Sequence, residues 1–132
     1  MAIILLVDDD AALRRAIGRA LHKAGHEVLE APDGVEAMRL VKATPPDIVL
    51  TDINMPEMDG IEIVLELGKS GRSVPIVAMS GGGLLPKQLL LGNADALGAA
   101  ATIEKPFRLE ELLETVDRVL RDAAAAGAQP ED

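Results

Sequence analysis

The sequence contains no cysteine, tryptophan or tyrosine and a single phenylalanine, Phe107. Without cysteine there is no disulfide, no thiolate zinc site and no thiol nucleophile. Long hydrophobic runs are also missing: no apolar stretch approaches the roughly 20 residues that span a bilayer, so no membrane partner is expected. The first apolar run is short for the core of a signal peptide, lacks a basic leader and passes directly into three aspartates. It reads as a buried strand, and the expected compartment is cytoplasmic. Positive charge is scarce as well. Thirteen lysines and arginines against 22 acids leave a formal charge of −9, and because affinity for phosphate backbones comes largely from lysine and arginine, no nucleic-acid partner is expected.

What remains is a well-stocked globular composition. With 132 residues, 48% hydrophobic and 27% charged, the chain can bury roughly two-thirds of its unfolded surface in one core. Residues 1–122 read as one domain and residues 123–132 as a flexible tail, with no internal repeat or second domain visible.

The pattern alternates strand and helix five times. Ile3–Val7, Glu27–Ala31, Ile48–Thr51, Pro75–Met79 and Ala101–Glu104 read as short strands. Leu13, Ile17, Ala20, Leu21 and Ala24 fall at helical spacing, leaving Arg14, Arg15, Arg19 and Lys23 for solvent, and Gly25 stops this helix. Asp10 reads as its N-cap rather than as a ligand, and Asp33 as the N-cap of a helix carrying Val35, Met38 and Val41, with Pro45 and Pro46 ending that unit. Further helices are expected over Gly60–Gly68 and over the unusually apolar Leu84–Leu97. The last is the clearest, with Leu109, Leu112, Leu113, Val116, Val119 and Leu120 in one stripe. His22 and His26 read as surface residues without a metal or nucleophile pattern around them. Strands alternating with helices imply right-handed crossovers and a parallel sheet covered on both faces.

Three of the strands end in charge: Asp8, Asp9 and Asp10 after the first, Asp52 after the third, and Lys105 after the fifth. A parallel sheet gathers the carboxyl ends of its strands along one edge, where ligands bind, so these groups are expected to meet. Several acids at such close quarters call for either a cation or shifted protonation, and a divalent hard cation is the simpler answer.

These residues carry a family resemblance from Ile3 to about Arg121. The acidic pair in Leu6-Val7-Asp8-Asp9, the stretch from Thr51 through Asp52, Asn54, Pro56 and Asp59 to Gly60, a strand ending in Ser80, and Lys105-Pro106-Phe107 together resemble a response-regulator receiver (CheY-like) domain. The resemblance implies a flavodoxin-like (βα)5 three-layer sandwich whose five-stranded parallel sheet has the order 2-1-3-4-5. It implies Asp52 as phosphoacceptor, and Mg2+, with Mn2+ as an alternative, held by Asp9, Asp52 and the backbone carbonyl of Asn54 while Asp8 holds a coordinated water. Lys105 is implied as a second positive charge on the phosphoryl oxygens and Ser80 as a hydroxyl donor to them. The implied upstream partner is a sensor histidine kinase or histidine phosphotransfer protein, and the implied downstream partner an unidentified protein. A monomer or a phosphorylation-dependent dimer is expected, as is a cis bond at Lys105-Pro106.

The sequence departs from the family in two places. Where receivers commonly carry a switching aromatic three residues before the lysine, this chain has Thr102, and the segment from Ser80 to Lys105 is longer than in the chemotaxis receiver. Gly82 stands at a position whose side chain in relatives affects dephosphorylation. The Gly81–Gly83 run is either a mobile lid or a plain connector, and it is not a P-loop, since no Gly-Lys-Ser/Thr follows. Three other functions are weighed against the receiver. An aspartate-nucleophile phosphatase wants a second acid two residues after the nucleophile, where this chain has Asn54. A flavodoxin-like flavin carrier wants the aromatic stacking partners it lacks. A docking module independent of phosphorylation has no use for the acid cluster.

Overall fold

The computed structural model describes residues 2–52, 74–81 and 101–128. Within them the chain forms β1 (Ile3–Val7), α1 (Ala11–Lys23), β2 (Glu27–Ala31), α2 (Gly34–Ala43), β3 (Ile48–Asp52), β4 (Ile76–Gly81), β5 (Ala101–Lys105) and α3 (Leu109–Ala128). All four strand pairings are parallel and the order is β2-β1-β3-β4-β5, the flavodoxin-like arrangement that the sequence led us to expect. The helices expected over Gly60–Gly68 and Leu84–Leu97, and the glycines Gly82 and Gly83, lie outside the described residues.

Strand side chains alternate between faces, so a strand buried on both sides reads as an unbroken apolar run. In β1, Ile4 and Leu6 enter one core with Ile17 and Leu21 of α1, Ile48 and Leu50 of β3, and Leu112, Val116 and Val119 of α3. Leu5 and Val7 enter the other, with Val49 and with Ala37 of α2. The sheet is therefore the middle layer, with α1 and α3 on one face and α2 on the other.

The caps follow their chemistry. Asp10 accepts a hydrogen bond from the Leu13 amide and Asp33 one from the Glu36 amide, each satisfying a helix-terminal N–H that has no intrahelical partner. Past the end of α1, Gly25 adopts φ +100°, a left-handed conformation that costs glycine little.

Several expectations are corrected in detail. Val35 is not on the buried face of α2: it is 66% exposed, and the inward stripe runs through Gly34, Ala37, Met38 and Val41, the i, i+3, i+4, i+7 set from which residue 35 is rotated away. Leu109, at the start of α3, is likewise exposed. His26 is half-buried, and its Nδ1 accepts a hydrogen bond from the Ala2 amide at 3.2 Å. α3 runs to Ala128, so the first residues of the segment read as a tail carry the end of this helix. The added turns are carried by Ala123–Ala126, and alanine has the highest intrinsic helix propensity.

Candidate functional site

At the carboxyl edge of the sheet the pleat itself sorts the charges. Asp8 follows Leu6 by two residues, Asp52 follows Leu50 by two, and Lys105 follows Ile103 by two. Leu6, Leu50 and Ile103 all face the α1–α3 layer, so period-two alternation directs the three charged groups to that same side. The β1 ladder extends one residue beyond Val7, because the Asp8 amide donates to the Ala31 carbonyl at 3.1 Å. β1 and β3 are neighbours in the sheet, and the strand order reverses there, the switch point at which open α/β sheets bind ligands.

Lys105 closes the group. Its Nζ donates to Asp8 Oδ2 at 2.8 Å and to Asp52 Oδ2 at 3.2 Å, joining residues 97 and 53 positions away in sequence. The Asp8 side chain is fully buried and that of Asp52 is 8% exposed, whereas Lys105 retains 18%. Burial alone depresses a lysine, but here the hydrogen bond and charge of Asp8, followed by the charge and hydrogen bond of Asp52, outweigh it and raise the ammonium above its ordinary 10.5. A base whose folded value is raised contributes stability that is complete below the unfolded value and is lost only as pH climbs through the folded one. The difference in urea midpoint between the wild type and Lys105→Met should therefore be flat from neutral pH to about 10 and narrow only in more alkaline solution. A gap that closes between pH 7 and 9 would contradict this pairing.

Asp9 is exposed and completes a set of three carboxylates whose oxygens lie within 4.8 Å of one another: Asp8, Asp9 and Asp52. Among the described residues no other group of histidines and acids meets that criterion. Three carboxylates against one ammonium leave two net negative charges, and an all-oxygen donor set of that charge suits a small divalent cation. The residues present therefore fit the hard cation that the sequence implied.

The other expected site residues fall as follows. Asn54 lies outside the described residues. Ser80 is placed on β4 opposite Glu104, with Gly81 opposite Lys105, at the same end of the sheet as the acids. Thr102 is exposed on β5, paired in register with Ala78. Asp10 stays out of the carboxylate group as a cap, though its amide donates to Asp8 Oδ1 at 2.9 Å and so fixes the second oxygen of that acid. The Lys105–Pro106 bond is cis. Beside the site, Leu13, Lys105, Pro106 and Phe107 line a mostly apolar recess of about 390 Å³.

One participant was missed. Arg14, read as a solvent-facing residue of α1, folds back with only 14% of its side chain exposed. Its Nη1 donates to the backbone carbonyl of Asp8 at 2.7 Å and its Nε to Glu30 Oε1 at 3.1 Å. Helical periodicity marks a face, but not the reach of a long side chain at the face's border. The available signal was Gly18, one turn on from Arg14, where helix propensity alone would not choose glycine.

Comparison with known proteins gives a single answer. Residues 4–117 match the family model described as the response regulator receiver domain. The response regulator MprA of Mycobacterium sp. (strain KMS) is 39% identical over 118 residues, 89% of this chain and 50% of that protein. The MprA of Mycobacterium leprae (strain TN) is 38% identical over the same length, so the chain spans about half the length of these curated relatives. Among solved structures, chemotaxis protein CheY4 of Vibrio cholerae superposes with a TM-score of 0.79 at 34% identity, covering 90% of this chain and 98% of that one. NtrX of Brucella abortus superposes with a TM-score of 0.85 at 30% identity, covering 95% of this chain and 28% of that one.

Proposed function

This chain belongs to the response regulator receiver domain family of two-component signalling, whose members sensor kinases phosphorylate, and on that premise we propose that Asp52 is its phosphoacceptor. The observation that carries the reading is the Lys105 ammonium lying between Asp8 and Asp52, with Asp9 completing the carboxylate group at the sheet's carboxyl edge. An Asp52 oxygen attacks the phosphorus of a phosphohistidine on a sensor histidine kinase or histidine phosphotransfer protein. The P–N bond breaks, the imidazole leaves with the electron pair, and an acyl phosphate is left on the aspartate.

A carboxylate meeting a phosphoryl group brings negative charge against negative charge, so neutralisation decides the rate. Mg2+, or Mn2+ in its place, would supply most of it when bound, held by Asp9, Asp52 and the backbone carbonyl of Asn54, with Asp8 holding a coordinated water. Lys105 supplies the rest from a position already within hydrogen-bonding distance of Asp52. Ser80, on the adjacent strand at the same edge, donates its hydroxyl to the attached phosphoryl group. The resulting change passes to the surface around β5 and α3, which engages a downstream protein, the chain acting as monomer or phosphorylation-dependent dimer. Thr102 stands in the position of the usual aromatic, so the output rests on something other than an aromatic swing.

The chain is in this reading a substrate of the kinase rather than an enzyme with an external substrate, and it works in the cytoplasm. Among the described residues no helix is long and apolar enough to cross a membrane. The charge of −9 argues against a nucleic-acid surface on these 132 residues.

Intact mass measured after incubation with Mg2+ and a small phosphodonor tests the proposal. The wild type should gain one acid-labile phosphoryl group, and a chelator should prevent it. Asp52→Asn should gain none. Equal labelling of Asp52→Asn would move the acceptor elsewhere, and an unlabelled wild type would leave a docking module as the function.

A further inference from the structure

The carbonyl that Arg14 holds belongs to the peptide joining Asp8 to Asp9. That unit is planar, so a hydrogen bond to its oxygen sets the orientation of the whole plane and hence the angle between the two acids on either side of it. Arg14 is in turn braced. Glu30, on β2, accepts from its Nε, and Glu30 is itself seated against Gly18: a Cβ there would come within 2.9 Å of Glu30 Oε2. Gly18 and Arg14 are four residues apart on one face of α1, so the carboxylate lies in the space the glycine leaves and under the guanidinium. On the other side of the same acid, the Asp10 amide fixes Asp8 Oδ1. Asp8 is thus held through its backbone by Arg14, and through its side chain by Asp10 and Lys105.

We propose that Arg14, braced by Glu30 over Gly18, is a positioning residue for the cation site, fixing the Asp8–Asp9 peptide so that both carboxylates are preset for one divalent ion. The proposal rests on the cation site described above. Arg14 acts on the site through the Asp8 carbonyl, with Glu30 as its brace. Its guanidinium does what lysine cannot: two separate donors in a rigid plane span a carbonyl and a carboxylate at once. Residues that orient ligands in this way typically change metal affinity about 10- to 100-fold when replaced.

The test is calorimetric titration of the whole chain with Mg2+ alone, for wild type, Arg14→Ala, Arg14→Lys, Glu30→Gln and Arg19→Ala, an exposed arginine of the same helix serving as control. Arg14→Ala should raise the dissociation constant about tenfold or more, Glu30→Gln and Arg14→Lys by less, and Arg19→Ala not at all. In the cation-free proteins the Asp9 amide resonance should shift in Arg14→Ala and stay in place in Arg19→Ala. An unchanged dissociation constant with a lowered urea midpoint would overturn the proposal, leaving Arg14 as a clamp between α1 and the sheet. If Arg14→Ala does not fold, Glu30→Gln, which keeps the volume and a hydrogen-bond acceptor, decides by the same two readouts. A wild type that binds Mg2+ but takes no phosphoryl group would sink the phosphoacceptor reading while leaving this comparison intact. A wild type that binds no Mg2+ overturns both.

Discussion

Replacing Lys105 with methionine should slow phosphoryl transfer to Asp52 about a hundred- to thousandfold, the range seen when one preorganised donor is removed from a transition state that gathers negative charge. The substitution should also weaken the cation-free protein. Asp8 is fully buried and its carboxylate is paired with the ammonium at 2.8 Å. Removing one member of a buried pair leaves an uncompensated charge, at a cost of about 3–5 kcal/mol. Lys105 is itself 18% exposed, so solvent screening places the loss at the lower end of that range. Millimolar Mg2+ should recover a good part of the stability, since an ion that binds only the folded state stabilises it by mass action and supplies the positive charge that the lysine took away. Urea unfolding in chelator and in Mg2+, with phosphorylation rates on the same preparations, checks both halves. A variant as stable as wild type in chelator would show that Asp8 does not depend on the lysine, and an unchanged rate would remove Lys105 from the chemistry.

The second large effect is purely one of burial. Leu50→Ala should destabilise the protein by about 2–5 kcal/mol. Leu50 has no exposed surface and lies in the core shared by β1, β3 and the α1–α3 layer, opposite Leu6 in the β1–β3 register. The spread depends on how far α1 and α3 can close over the space left behind, as cavity volume adds to the lost transfer energy. Leu50 is also two residues before Asp52, and this makes the substitution a useful contrast with Lys105→Met. If the sheet positions the acids as a rigid layer, the folded fraction of Leu50→Ala should be phosphorylated within a few-fold of the wild-type rate, whereas Lys105→Met loses rate even when fully folded. Chemical denaturation monitored by far-UV circular dichroism, with phosphorylation measured well below the unfolding midpoint, separates the two. A rate loss in Leu50→Ala comparable to that in Lys105→Met would mean that the site is set by core packing more than by its own charges.

The acid and lysine positions were legible because they rest on short-range rules. Apolar runs that end in charge are strands whose carboxyl ends meet at one edge, and the acid pair, Asp52 and Lys105 fell where that rule put them. The two N-caps were legible for the same reason, since a cap needs only the residue and the three that follow it. Val35 was misread because two neighbouring helical registers both looked apolar, and packing of Ala37 against β1 and β2 chose between them. α3 runs on through the alanines to Ala128, because alanine has the highest intrinsic helix propensity.

What the sequence determined by itself was therefore the alternation of elements, the parallel sheet and the set of charged groups available at its edge, because each depends on periodicity and on residues next to one another in the chain. What only the tertiary structure decided was which of those groups pair. Lys105 lies nearer to Asp8 than to Asp52, Asp9 stays exposed while Asp8 is sealed off, and Arg14 turns from solvent to the Asp8 carbonyl under a brace from β2. Those choices depend on distances between residues up to 97 positions apart. Hydrogen bonds and ion pairs act over a few ångströms, so only the assembled sheet and its covering helices could settle them.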